Sequence, residues 1–200
     1  MPRMSRGQFR FLVLGLTSAA LVLVAGVLLK GAPPAQEPPA PPPKPRAVPW
    51  REPPERFPRD THLPPRPERH VCGPAKTELF DAGRDLVRID DTRAWWESDH
   101  DTNDTEDDHI IHRAAEVPLR RLIDEVAARN GTLEIQDAYR PSGVHNSRSL
   151  HREGRALDVT CDEMSLEALA KLCWTVGFDW VYYEYSGGGG AHIHCSVRRD

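Results

Sequence analysis

The sequence predicts an α+β fold: a small mixed or antiparallel sheet with packed helices. Two segments carry apolar residues at helical spacing, and five others run apolar or alternate over strand lengths. Their order along the chain is mixed, with no regular strand–helix alternation, which favours α+β over a parallel doubly wound sheet. Proline limits where this fold can lie, because nearly all of the 19 prolines fall before residue 75.

Residues 11–29, FLVLGLTSAALVLVAGVLL, form an uninterrupted apolar run preceded by Arg3, Arg6 and Arg10. As a helix it is about long enough to cross a bilayer's hydrocarbon layer. Positive charge on its N-terminal side places residues 1–10 in the cytoplasm and everything after Lys30 outside, a type II topology with the folded domain in the periplasm or cell envelope. A cleaved signal peptide is the competing interpretation, but no convincing small-residue cleavage site precedes Lys30. Residues 30–69 are too rich in proline for helix or sheet ladders, and they predict an extended linker that carries the domain, residues 70–200, away from the membrane. Net charge is −4 with lysine and arginine scattered, so nucleic acid is not expected as a partner.

Within the domain, Leu86 to Ile89 predicts a short strand, with Trp95 and Trp96 as packing residues. The run from Asp99 to His109, DHDTNDTEDDH, offers the oxygen ligands calcium prefers. It lacks the EF-hand's placed glycine and terminal glutamate and is expected to be a solvated loop. Pro118 to Arg129 predicts an amphipathic helix with proline in its first turn. Thr132 to Ala138 and Arg155 to Thr160 predict strands, and Ser165 to Val176 a helix capped by Ser165 and stopped by Gly177. Asp179 to Tyr185 and Ala191 to Val197 predict a C-terminal hairpin across Ser186 to Gly190. Cys72, Cys161, Cys173 and Cys195 could form two disulfides in three connectivities, and none makes the CxxC pair of a cysteine zinc site.

The chemistry gathers near the C-terminus. His151 and Asp158, then Glu184, then His192 and His194 are metal-ligand residue types on three segments that can converge. Residues two apart on a strand share a face, so His192 and His194 point the same way. Gly154 lets the chain turn between His151 and Asp158. Two imidazoles and a carboxylate suit a catalytic zinc, which uses three protein ligands and keeps a position open. His62, His70, His100, His109 and His112 read as surface or capped residues.

SLHREGRALDVT, GFDWVYYE and AHIHCSV closely resemble the N-terminal signalling domain of Hedgehog proteins and, more broadly, the zinc D-Ala-D-Ala carboxypeptidases that share its fold and its S-x-H-x6-D…H-x-H pattern. The resemblance covers Leu133 to Val197 well and the preceding region loosely. It implies His151, Asp158 and His194 as zinc ligands, His192 close by, Glu184 as catalytic base, His145 beside the metal and Ser149 in support. QDAYRPS resembles the peptidases' arginine-bearing segment. Arg140 and Ser142 stand where Hedgehog proteins carry calcium-binding acids, which leaves Asp137 and argues against calcium. Arg140 instead suits a substrate's terminal carboxylate. YSGGGGA is longer than the corresponding Hedgehog turn.

The function these features lead one to expect is a zinc metallopeptidase acting on peptidoglycan stem peptides, a D-Ala-D-Ala carboxypeptidase-type hydrolase. Glu184 would then take the proton of zinc-activated water, Arg140 would hold the free carboxylate, and His145 or His192 would stabilise the oxyanion. The alternative is a non-catalytic, Hedgehog-like zinc-binding module that engages a surface protein.

Overall fold

A computed structural model describes residues 47–97, 108–142, 145–187 and 190–199. Its main sheet has six strands: β1 (His62–Leu63), β3 (Ala94–Trp96), β5 (Leu133–Asp137), β6 (Ala156–Thr160), β7 (Trp180–Glu184) and β8 (His192–Ser196). They lie in the order β1-β7-β8-β6-β5-β3, antiparallel except for the β3–β5 pair. The expected hairpin is present, with β7 paired to β8 from Trp180↔Ser196 to Glu184↔His192. A separate antiparallel ribbon joins β2 (Leu86–Arg88) to β4 (Ile110–His112).

After two single-turn helices, α1 (Glu68–Val71) and α2 (Ala82–Asp85), two longer helices cover one face of the sheet. Helix α3 (Arg113–Ala127) buries Ala115, Leu119, Leu122, Ile123 and Val126, and α4 (Leu166–Val176) buries Leu169, Cys173 and Val176. Against them the strands present Leu133, Ile135, Leu157, Val159, Val181, Tyr183, Ile193 and Cys195, which completes the main core. Because side chains alternate across a strand, the residues between these point to the other face. There Asp158, Glu184, His192 and His194 gather, and that face is where chemistry can occur.

The observed α3 starts five residues before the expected helix, since the His112 ring accepts the Ala114 amide and caps the N-terminus there. Pro118 therefore lies inside the helix and is buried, where it forgoes one backbone hydrogen bond. Leu169 and the αL cap at Gly177 lie as the α4 pattern requires.

The proline-rich segment differs most from its expected form. From residue 47 to 69 it is a strap laid on the domain, and only its earlier part, with the apolar run 11–29, lies outside the described residues. Val48 sits over Gly177, where a Cβ would come within 2.1 Å of its side chain, and Arg121 donates to the Val48 carbonyl at 2.8 Å. Phe57 is 1% exposed within the main core. Next, β1 adds to the sheet edge through His62↔Tyr182, and Trp180 donates its indole N–H to the Arg66 carbonyl at 2.8 Å. Proline forbids regular ladders but not side-chain packing, so a few apolar residues suffice to dock the segment. Among the described residues no helix is long and apolar enough to cross a membrane.

Candidate metal centre

Three features of the chain bring the site together. On β6 and β8, Asp158 and His194 are direct cross-strand partners, so their side chains share the uncovered face. His151 arrives from a 3₁₀ turn, Leu150–Glu153, which Ser149 opens by accepting the His151 amide at 3.3 Å and Gly154 closes with φ 66. That glycine is obligatory on steric grounds as well, because a Cβ there would meet the His112 amide nitrogen at 2.8 Å. A bulge in β5 between Ile135 and Asp137 then re-phases the strand, so Asp137 stands opposite Asp158 instead of facing the core.

His151, Asp158 and His194 offer ligand atoms that all lie within 4.8 Å of one another. The His151 ring is buried, its Nδ1 lies 3.0 Å from the Ala138 carbonyl, and its Nε2 has no hydrogen-bond partner. Asp158 Oδ2 stands 3.5 Å from that Nε2. His194 Nδ1 lies 2.8 Å from Asp158 Oδ1, and its Nε2 lies 2.8 Å from Glu68 Oε1.

Two carboxylates set the charge of the site, and a metal would have to displace the proton they draw to His194. Burial alone would raise the Asp158 pKa, but the His151 and His194 rings outweigh it and hold the carboxylate well below its usual range. Burial alone would lower the His194 pKa, yet Asp158 and Glu68 outweigh it and draw the ring toward the imidazolium form. These residues fit zinc: an orphaned, buried imidazole nitrogen with its other nitrogen satisfied by a carbonyl, a desolvated carboxylate, and a second imidazole backed by a carboxylate.

The remaining site residues surround this cluster. His192 Nε2 lies 3.6 Å from both Asp158 Oδ1 and Glu184 Oε2, and its Nδ1 is 3.1 Å from the Gly190 carbonyl. Glu184, partly exposed, thus faces His192. His145 stacks on His151 with ring centroids 4.4 Å apart, and its Nε2 lies 3.0 Å from Asp137 Oδ2. Asp137, His145 and His151 form a second cluster of ligand-type atoms that shares His151.

Arg140 does not fit a substrate clamp. It is 7% exposed, its guanidinium is paired with Asp137, and its amide donates to the His151 carbonyl at 2.9 Å. A guanidinium so committed braces the turn that carries His151. Glu68 was missed from sequence because it falls in the proline-rich segment, and its spacing from His194 along the chain carries no signal. The four cysteines are buried free thiols, and burial pushes Cys72 up to about 12. Of the histidines set aside, His62 packs on Trp180, His109 stacks on Trp96 and His112 caps α3, while His100 and most of the acidic run lie outside the described residues.

Fold and site together define a class: a mixed α+β domain with a His–Asp–His cluster of metal-ligand geometry on the sheet face opposite its helices. The model of the Hedgehog amino-terminal signalling domain matches residues 81–196. The chain belongs to that family. Indian hedgehog B protein of Danio rerio is 42% identical over 71 residues, 34% of this chain and 16% of that protein. Indian hedgehog protein of Gallus gallus is 44% identical over the same length, with the same shares. Protein hedgehog of Drosophila hydei is 35% identical over 71 residues, 34% of this chain and 14% of that protein. The matched segment thus spans about a sixth of the length of these relatives.

This membership overturns the enzyme expectation. The family is one of signalling domains, so the D-Ala-D-Ala carboxypeptidase, the hydrolase assignment and the peptidoglycan substrate are all corrected. With them go Glu184 as general base, Arg140 as carboxylate clamp, and His145 and His192 as oxyanion stabilisers. Arg140 carried most weight toward a peptidase, and its burial against Asp137 removes that support.

Proposed function

We propose that this chain is a Hedgehog-like signalling module that works outside the cell, holds one zinc ion through His151 Nε2, the Asp158 carboxylate and His194 Nδ1, and engages a receptor protein on a cell surface. The observation that carries the metal is the buried His151 Nε2, which has no hydrogen-bond partner and stands beside Asp158. Leaving such a nitrogen unpaired costs about 1–3 kcal/mol, which a bound cation would offset. Bound zinc supplies a cross-brace between the His151 turn and strands β6 and β8. The chain's own residues prepare the place: Ala138 and Glu68 orient the two rings, Arg140 and Asp137 hold the turn, and His192 and Glu184 form a polar edge open to a partner. The apolar run 11–29 serves as a membrane tether with residues 1–10 in the cytoplasm.

The test uses the purified chain. It is expected to carry one equivalent of zinc by elemental analysis, and fluorescently labelled protein is expected to bind intact cells saturably. Prior protease treatment of the cell surface and His151→Ala are each expected to abolish that binding. A chain free of zinc after reconstitution sinks the metal assignment, and binding that survives surface proteolysis sinks the protein receptor.

A further inference from the structure

The metal cluster draws a partner from outside the matched region 81–196: Glu68, at the head of the short helix α1 (Glu68–Val71) that ends the strap. Its Oε1 lies 2.8 Å from His194 Nε2, while His194 Nδ1 faces Asp158. A ring held on Nε2 by a carboxylate keeps its proton there and presents Nδ1 as the lone pair, and it becomes a stronger donor as the carboxylate pulls on that proton. The strap is itself fixed on either side of Glu68. Trp180, on the strand next to β8, binds the Arg66 carbonyl, and Cys72 Sγ lies 3.4 Å from Ser196 Oγ, two residues beyond His194. Glu68 is thus delivered to the ring by packing on strands that also build the site.

We infer that Glu68 is a positioning residue of the metal site, so that metal binding and docking of the strap are linked. Linkage is reciprocal: whatever Glu68 adds to metal affinity, bound metal returns to the strap as resistance to opening. This rests on the zinc assignment above. The chain thereby joins its membrane-proximal segment to its metal through one hydrogen bond.

The experiment measures zinc affinity by chelator competition, the His194 tautomer by nitrogen-15 NMR, and the rate of tryptic cleavage after Arg69. All three are made on the whole chain and on Glu68→Gln and Glu68→Ala. Glu68→Ala is expected to weaken zinc binding by about 10–100-fold. Glu68→Gln, which keeps an acceptor but not the charge, is expected to fall between it and the wild type. Wild-type His194 is expected to carry its proton on Nε2 in the zinc-loaded chain, and Glu68→Ala to lose the fixed tautomer. Stripping zinc is expected to speed cleavage at Arg69 in the wild type and to leave the rate unchanged in Glu68→Ala. If the wild type binds zinc and all three chains bind it equally, with the same tautomer and cleavage rates, the inference is wrong and the zinc assignment stands. If the wild type binds no zinc, the assignment itself is wrong.

Discussion

His112 shows how much one side chain can carry at the residue scale. Its ring is 4% exposed, its Nδ1 accepts the Ala114 amide at the head of α3, and its backbone N–H donates to the Gly154 carbonyl at 2.8 Å. Burial pushes its pKa down from 6.5 to about 4, outweighing the nearby Asp85. A neutral ring is required to accept that amide, so protonation removes the cap. The unfolded chain takes up this proton near pH 6.5 and the folded chain only near pH 4, so the stabilisation is complete above 6.5 and lost as pH falls to 4. Urea unfolding of the wild type and of His112→Asn, which keeps a capping oxygen without titrating, is expected to show the wild type losing ground to the variant across this window. A constant difference between the two would refute the assignment.

At the scale of elements the strap is the informative one. Phe57 is the side chain by which a proline-rich segment enters the main core, and its backbone amide donates to Glu167 on α4 at 3.0 Å. Phe57→Ala is expected to cost about 3–5 kcal/mol in a denaturant titration, the range for a buried aromatic. A spacer would show no change. The β5 bulge matters in the same way, because one extra residue moves Asp137 from the helix-covered face to the site face and gives Arg140 and His145 their partner. The register of α3 is set by a third local device, the His112 cap, which overrides the position that Pro118 alone suggests.

Across the whole molecule, separate segments are tied at buried polar junctions. Arg155, 1% exposed, pairs with Glu153 at 2.6 Å and donates to the carbonyls of Cys72 at 2.7 Å, Pro74 at 3.0 Å and Val197 at 3.2 Å. It thus joins the end of the strap, the His151 turn and the C-terminal strand. The metal cluster is a second junction of the same segments, so its ligand is expected to act on global stability. A ligand that binds only the folded state, at a free concentration 100 times its dissociation constant, adds about 2.7 kcal/mol. Chelation of zinc is therefore expected to lower the melting temperature of the wild type by several degrees, while His151→Ala starts low and no longer responds. Equal melting temperatures with and without chelator would contradict the junction.

The resemblance singled out His151, Asp158 and His194; the sequence by itself determined the periodicities of α3 and α4, the C-terminal hairpin, and the gathering of His151, Asp158, Glu184, His192 and His194. Each follows from local rules: apolar spacing on a helix, alternation on a strand, a glycine where φ is positive. A glycine at 154 and H-x-H on a strand constrain geometry within a few residues, so they could be read in order. Only the tertiary structure decided that Arg140 is a buried brace against Asp137, that Glu68 backs His194, and that the segment from residue 47 is part of the domain. The last two depend on contacts between residues far apart in the chain, and the first, though Asp137 lies three residues from Arg140, on the β5 bulge that turns Asp137 to the site face. A guanidinium's partner is set by which carboxylate the fold brings beside it, and no spacing rule links residue 68 to residue 194. The shift from peptidase to signalling domain rests on the family match over residues 81–196, and packing adds to it that the Arg140 guanidinium is committed to Asp137: residue types can be read from sequence, while the partners that commit them to a role are supplied by the fold.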